Sequence, residues 1–236
     1  MSTVTTTSPA AVRRTTHYVD RWIFVGLLAL PAYGLLTFAS SLHPQPDPTQ
    51  DYAAWARFVT TTRYLVGHTA GTGLGLILAV FGLTALGAYL TRGRSGRLGL
   101  AAAVISMFAN MAFLSILGAS AFAAPASARA YLAGVTNIQE LQQDPAADLV
   151  VMGIFLLVVV GNLVGNVLLG VAIWRSGLFP RAAGLIWILS AVALYVLGLV
   201  VSLLFTNAST PTEPVGGLLV ALAGLWMAWS ARRSLS

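Results

Sequence analysis

The sequence has 236 residues, of which 57% are hydrophobic and only 8% are charged, and its mean hydropathy is +0.81. A water-soluble domain needs about 25% charged residues to cover its surface, so this composition excludes a soluble globular protein and indicates an integral membrane protein. The chain has no cysteine and no lysine, which excludes disulfides and thiolate metal sites as well as a lysine Schiff base to a carbonyl cofactor.

Six long stretches without formal charge predict six transmembrane helices, because a helix needs roughly 20 apolar residues to cross about 30 Å of hydrocarbon. These stretches are residues 22–42, 64–90, 98–124, 149–174, 182–205 and 215–231. We therefore expect an all-α, polytopic integral membrane protein whose transmembrane domain covers residues 22–231. Residues 1–21, rich in serine and threonine, predict a disordered tail before the first span, and residues 232–236 predict a short tail after the last.

A cleavable signal peptide is the alternative for the first stretch, since arginines precede it and small residues occur near its end at Ala39, Ser40 and Ser41. Signal peptides have an apolar core of roughly 7 to 15 residues. This stretch is longer, so we expect it to remain in the protein as a membrane span.

The connection between the first two spans has the pattern of a short helix at the membrane surface. Asp47 and Pro48 fit the N-cap and first position of such a helix, with Gln50 at the third. Apolar residues then recur with helical spacing at Tyr52, Trp55, Ala56 and Val59. This pattern predicts an amphipathic helix that either lies among the lipid headgroups or covers a cavity as a lid.

The second span carries glycines at four-residue intervals, at Gly67, Gly71 and Gly75. A smooth stripe of this kind lets another helix approach closely. It favours packing within the chain, and the alternatives are a homo- or hetero-oligomeric contact or a seat for a flat ligand.

Two histidines fall at the same predicted boundary, since His43 ends the first span and His68 begins the second. Imidazole binds haem iron and divalent metals, so one hypothesis is a haem or metal site between them. Structural zinc takes four protein ligands and catalytic zinc three, so Asp47 or Asp51 would have to complete a metal site. The simpler expectation is that the protein holds no cofactor.

The connection between the third and fourth spans repeats the amphipathic pattern, with Leu132, Val135, Ile138, Leu141 and Gln142 at the positions concerned. It predicts a second short helix at the surface. Asp144 followed by Pro145 is a typical N-cap and first helical position, which predicts where the helix of the fourth span begins.

Polar side chains near the bilayer midplane form the strongest group of candidate binding residues. They are Asn110, Asn162, Asn166 and Tyr195. Asn162 and Asn166 share one helix face, and Gly161 and Gly165 beside them favour close helix packing. Amides in hydrocarbon most often hydrogen-bond between helices, and the alternative is a binding site for a small polar ligand.

One enzymatic alternative joins His68 to Ser120 at the same boundary of the membrane, as in intramembrane serine proteases with six helices. The chain has no Gly-x-Ser-x-Gly nucleophile elbow, and a small serine among alanines usually packs between helices. It also has no Walker-type Gly-x-x-x-x-Gly-Lys sequence for the use of ATP. We therefore expect no intrinsic catalysis.

Arginines are unevenly distributed between the two sides of the predicted membrane domain. Arg13, Arg14, Arg21, Arg92, Arg94, Arg97, Arg175, Arg181, Arg232 and Arg233 fall on one side, and Arg57, Arg63 and Arg129 on the other. By the positive-inside rule both termini are cytoplasmic, and the basic balance reflects topology rather than nucleic-acid binding. The predicted spans contain no Asp, Glu, Arg or Lys, which argues against proton- or sodium-coupled transport through a membrane carboxylate.

Three features carry a family resemblance: His43 followed by Pro44, the run RYLVGH at residues 63–68, and the turn RSGLFPRAAGL at residues 175–185. In these features the chain resembles a group of small six-helix bacterial membrane proteins classed under domains of unknown function. The resemblance implies a six-helix fold and a multi-pass location in the bacterial cytoplasmic membrane, and it implies no reaction.

The sequence as a whole favours a non-catalytic protein of the lipid bilayer. The leading hypothesis is that it binds a small hydrophobic or amphipathic molecule, or a membrane partner, in a groove between the first four spans beneath the outer loops. The alternatives are an outer-face haem or metal protein that uses His43 and His68, and a substrate-binding subunit of a larger transporter.

Overall fold

The computed structural model describes residues 9–43, 45–141, 143–205 and 212–235. Within these residues the regular structure is entirely helical and no strand occurs. Six helices are long and apolar enough to cross a membrane. They are numbered here as spans 1 to 6: Tyr18–Ser40, Thr62–Leu90, Gly96–Leu132, Pro145–Ser176, Arg181–Val201 and Thr212–Arg233. The predicted all-α class and the six apolar spans are confirmed.

The helices differ from the predicted spans mainly at their ends. Their bounds are Pro9–Ser40, Tyr52–Val59, Thr62–Val66, Leu74–Leu90, Gly96–Leu132, Ile138–Leu141, Pro145–Ser176, Arg181–Ala191, Gly198–Phe205 and Thr212–Leu235. Two π-helical segments, Gly67–Gly73 and Val192–Leu197, continue the helix within spans 2 and 5. The first helix begins at Pro9, where proline suits the first turn, and it therefore extends upstream into the segment 1–21.

The six spans form a closed ring. Each span packs against the spans that precede and follow it in the chain, and span 6 packs along span 1. Short turns at residues 91–95 and 177–180 join spans 2 and 3 and spans 4 and 5 into antiparallel hairpins. The chain order of the spans is therefore also their order around the ring.

Because the spans alternate in direction, the ring has two different ends. The arginine-rich end contains the turns at 91–95 and 177–180, together with Arg21 and Arg232. An ion pair of 2.6 Å joins Asp20 to Arg92 at this end. The histidine end contains His43, His68 and the short helix Tyr52–Val59.

The half of the ring nearer the arginine-rich end has a solid apolar core. The largest fully buried side chains of this core are Leu27, Leu30, Leu86, Leu90, Leu169, Ile173, Trp187 and Met227. Spans 1 and 6 approach closely through glycine, since a Cβ added to Gly34 would lie 2.6 Å from the Gly217 carbonyl oxygen and 2.8 Å from the Ala221 Cα. The cavity described below lies in the other half of the ring.

The short helix Tyr52–Val59 packs against the end of span 3. Ala56 and Val59 are buried in a small cluster with Tyr64 and Ala128. The apolar spacing predicted from the sequence is therefore a packing face on the protein, which holds the helix over the histidine end.

The N-cap of this helix is not the one predicted. The Asp51 carboxylate caps it by accepting a hydrogen bond of 2.8 Å from Ala54 N. Asp47 instead accepts hydrogen bonds of 2.7 Å from the hydroxyl and 2.8 Å from the backbone N–H of Thr49, which hold the pKa of the Asp47 carboxyl below its usual value. This local turn competes with helix capping, so the prediction at Asp47 is wrong and the helix begins about one turn later.

The helix of span 4 begins as predicted. The Asp144 carboxylate accepts hydrogen bonds from Ala146 N at 3.0 Å and Ala147 N at 3.3 Å, and Pro145 is the first helical residue. These bonds satisfy N–H groups that the first turn of a helix leaves without a partner.

The second surface helix predicted between spans 3 and 4 is reduced to a single turn, Ile138–Leu141. Span 3 continues through Leu132, and the chain then reverses at Gly134, whose φ of +104° favours glycine. Gln142, the last residue of the predicted helix, lies outside the described residues. The apolar residues of this stretch are therefore divided between span 3 and a short exposed turn.

Candidate functional site

A cavity opens at the histidine end of the ring and has two lobes. The histidine lobe, about 570 Å³, lies mainly between spans 1 and 2 and reaches His43, Arg63 and His68. The tyrosine lobe, about 420 Å³, is lined by residues of all six spans, including Tyr33 and Tyr195. Both lobes are lined by Ser40, Ser41, Thr72 and Glu213. The two lobes therefore adjoin each other, and their described lining comes from six spans rather than from the four that were predicted.

The tyrosine lobe combines polar groups with apolar walls. The side chains of Tyr33 and Tyr195 lie next to each other in this lobe, and Thr37 also lies next to Tyr33. The Glu213 carboxyl lies near Tyr195. Much of the remaining wall is apolar and consists of Leu76, Phe113, Phe155, Val158, Val159, Leu194 and Leu199. This lining suits a molecule with a hydrogen-bonding head and an apolar body.

Glu213 is the site residue that the sequence interpretation missed. Span 6 was predicted to begin at residue 215, but its helix begins at Thr212 and has Glu213 in the first turn. An acidic residue is favoured there because the helix dipole is positive at its N-terminus, and this was the signal that could have found it. Glu213 therefore lies before the predicted stretch 215–231 but within the helix of span 6, and it lines both lobes.

Tyr64 organises the wall of the histidine lobe. His68 Nδ1 donates a hydrogen bond of 3.1 Å to the Tyr64 carbonyl oxygen, and the two rings stack with their centroids 3.9 Å apart. The Tyr64 hydroxyl is 2.9 Å from both the carbonyl oxygen and Oγ of Ser120. Tyr64 thus stands between His68 and Ser120, and the described contacts of these two residues do not include the direct Ser–His hydrogen bond of a catalytic pair.

The two histidines line the same lobe, in agreement with their predicted common depth. Among the residues that the structure describes, no group of three or more His, Cys, Asp or Glu side chains could hold a metal ion. Asp47 and Asp51, the additional ligands considered from the sequence, accept hydrogen bonds from Thr49 and Ala54. Among the described residues, the two imidazoles are therefore not grouped with the further side chains that a zinc site requires.

Both π-helical segments border the cavity. The segment Gly67–Gly73 contributes His68 and Thr72, and the segment Val192–Leu197 contributes Tyr195. A π-helical turn accommodates an extra residue and re-aims the side chains around it, and such turns are frequent at functional sites. Their position supports the cavity as the candidate site.

The glycine stripe of span 2 also lies on this side. A Cβ added to Gly71 would be 2.7 Å from Ser40 Cβ, and one added to Gly75 would be 3.5 Å from Tyr33 Cδ2. Gly67 lines the histidine lobe, with no atom within 4 Å of an added Cβ. Two of the three glycines therefore seat span 1 of the same chain, and the third leaves room in the cavity.

The predicted midplane group is divided by the structure. Tyr195 lines the cavity, whereas Asn110 and Asn162 are buried in the contact between spans 3 and 4. Their amide nitrogens donate to backbone carbonyls one turn earlier, at 2.7 and 3.1 Å, and their amide oxygens have no partner among the described residues. Asn166 accepts a hydrogen bond of 3.1 Å from Trp187 Nε1 of span 5. None of the three asparagines is among the described lining residues of either lobe.

Comparison with known proteins gives no match to this chain among protein-family models, curated proteins or solved structures. The geometry and chemistry of the cavity are therefore the basis for assigning a function.

Proposed function

We propose that the protein is a non-catalytic, multi-pass membrane protein that binds a small amphipathic molecule in the cavity at its histidine end. The positive-inside rule places the arginine-rich end in the cytoplasm, so the cavity would open to the outside. The resemblance to six-helix bacterial proteins supports the bacterial cytoplasmic membrane as its location.

The observation that carries this proposal is the pair of adjoining lobes, which share four lining residues. Small-molecule sites are typically clefts of about 300 to 1,000 Å³ with mostly apolar walls and a few polar groups that orient the ligand. The tyrosine lobe, about 420 Å³, has this size and lining. The histidine lobe adjoins it on the side of His43 and Arg63, and we expect a ligand to enter from that side.

The polar groups favour a ligand whose head donates hydrogen bonds. Glu213 is the one acidic side chain in the described lining of the tyrosine lobe, and no basic residue lines that lobe. A carboxylate next to phenol and hydroxyl oxygens favours an ammonium or another N–H donor. The phenyl rings of Phe113 and Phe155 would then contact the apolar body.

A photoreactive alkylamine tests this proposal. The purified protein, in nanodiscs of phosphatidylcholine, is irradiated with a long-chain primary amine that carries a diazirine in its alkyl chain. Labelled peptides are then identified by mass spectrometry. We expect labels on segments that line the tyrosine lobe, around Phe113, Phe155 and Leu199, and we expect excess unlabelled alkylamine to remove them.

Two matched variants of span 2 locate the binding. Thr72 lines both lobes, so Thr72→Trp places an indole where the two lobes meet. Thr69 is exposed and is not among the described lining residues, so Thr69→Trp places the indole outside the cavity. Labelling should fall at least tenfold in the first variant and stay unchanged in the second. Ser41→Trp fills the same space from span 1. Equal labelling in the wild type and all three variants, or labels confined to lipid-facing residues, would refute cavity binding.

A further inference from the structure

A second cavity, about 890 Å³, lies at the arginine-rich end between two inner turns. One wall comes from the turn before span 3 and the other from the turn between spans 4 and 5. Four arginines line it, Arg94, Arg97, Arg175 and Arg181. We call this space the arginine basin.

The two turns that form the basin are held together by hydrogen bonds. Arg94 N donates to the Ser176 carbonyl oxygen at 3.2 Å, and Ser95 Oγ donates to the Ala172 carbonyl oxygen at 2.6 Å. Gly177 ends span 4 with φ at +74°, a conformation that favours glycine. The backbone under the arginines is therefore fixed, and the basin is a built feature of the fold rather than a coincidence of long side chains.

The positive charge of the basin is not neutralised by the residues around it. No carboxylate is among its described lining residues. The acidic residue of this end, Asp20, is paired with Arg92, which lies outside the basin. The helices that begin at Gly96 and at Arg181 also start here, and their N-terminal N–H groups add positive potential.

We propose that the arginine basin binds a phosphate group, and that an anionic phospholipid of the adjacent leaflet supplies it. Guanidinium groups bind phosphate oxygens in bidentate fashion, and basic pockets between transmembrane helices bind anionic lipid headgroups. Trp174, in the same lining, is an aromatic residue of the kind that lies at headgroup level. The proposal also gives a role to the turn at residues 175–185, and it is independent of the cavity at the histidine end.

The test compares two pairs of substitutions with the same change in charge. The pair Arg94→Gln and Arg175→Gln removes two of the four positive charges of the basin. The pair Arg97→Gln and Arg181→Gln removes the other two. Arg232→Gln with Arg233→Gln is the control, since these exposed arginines lie at the same end but outside the basin. Native mass spectrometry in neutral detergent measures the binding of added phosphatidylglycerol, phosphatidylcholine and inorganic phosphate. Thermal unfolding checks that every variant is folded.

The proposal makes a specific prediction for each arm. Phosphatidylglycerol should bind the wild type more tightly than phosphatidylcholine, and either basin pair should weaken it about thirtyfold, from roughly 1 kcal/mol for each arginine near a charged lipid surface. The control pair should weaken it less than threefold. Equal losses in basin and control pairs would show a diffuse charge effect and overturn the site. Displacement of the lipid by submillimolar inorganic phosphate would assign the basin to free phosphate and overturn the lipid as its source.

Discussion

Under the proposed function, we expect Glu213 to determine which ligand the cavity at the histidine end accepts. Replacing it with glutamine keeps the shape of the side chain and removes its charge. A hydrogen bond to a charged group contributes about 1.5 to 3 kcal/mol, so the affinity for an alkylamine should fall roughly 10- to 100-fold in Glu213→Gln. Competition against the photoreactive amine in nanodiscs measures this affinity.

The matching alcohol distinguishes a charge effect from a structural one. A long-chain alcohol of the same length should bind wild type and Glu213→Gln equally well, because it needs no counter-charge. Glu140→Gln, on an exposed turn outside the cavity, is the matched variant and should not affect either compound. If the amine and the alcohol lose affinity in parallel, Glu213 supports the cavity without recognising the head of the ligand.

Gly34 limits the distance between spans 1 and 6, and its replacement should reduce stability. An alanine there would bring its Cβ to 2.6 Å from the Gly217 carbonyl oxygen, which is a backbone atom and cannot move independently. Overpacking of this kind costs about 1 to 3 kcal/mol, so Gly34→Ala should unfold earlier in detergent. Gly153→Ala is the control, since nothing lies within 4 Å of its added Cβ, and it should be neutral or slightly stabilising. Equal stability of the two variants would contradict the close approach.

At the scale of an element, the short helix Tyr52–Val59 depends on its N-cap. Asp51→Ala removes the acceptor for Ala54 N, at a cost of about 0.5 to 2 kcal/mol. Amide hydrogen exchange across residues 52–59 should therefore become about 2- to 30-fold faster. Asp47→Ala provides the comparison, because Asp47 bonds to Thr49 and not to the helix. If exchange became faster in Asp47→Ala and did not change in Asp51→Ala, Asp47 would be the N-cap, as the sequence predicted.

The sequence predicts the elements that depend on local composition and misses those that depend on neighbours. An uncharged run long enough to cross a bilayer has few alternatives to a transmembrane helix, so the six spans could be predicted. Asp144 and Pro145 form a complete local cap, and this could be predicted as well. Asp47 and Asp51 are both plausible caps, and only the competing bond from Thr49 decides between them.

The candidate site was harder to predict, because a cavity is a property of several helices together. The depth of His43 and His68 followed from the span boundaries, and both line the histidine lobe. The π-helical turns, and the contact that brings Tyr33 of span 1 to Tyr195 of span 5, arise from packing between distant segments. Asn110 and Asn162 were predicted to lie near the midplane, but only the packing of spans 3 and 4 decides what surrounds them. Gly161 and Gly165 allow these spans to approach closely, and the two amides are buried between them.

At the scale of the whole molecule, the ring is asymmetric along the membrane normal. Its arginine-rich half is filled by leucine, isoleucine and tryptophan side chains, and its histidine half contains the two-lobed cavity. The apolar core lies on the side of the arginine-rich end, so we expect a ligand to enter and leave the cavity at the histidine end. This geometry fits a binding protein better than an open channel. The side of the membrane on which the cavity opens then determines where its ligand comes from.

Single cysteines can determine that side directly, because the natural chain contains none and has no background labelling. Asn137→Cys introduces a thiol at the histidine end, and Thr91→Cys introduces one at the arginine-rich end, both at exposed positions. The positive-inside rule predicts that a membrane-impermeant maleimide labels Asn137→Cys in intact cells and labels Thr91→Cys only after permeabilisation. The reverse labelling pattern would show that the cavity opens toward the cytoplasm. Its ligand would then have to come from inside the cell.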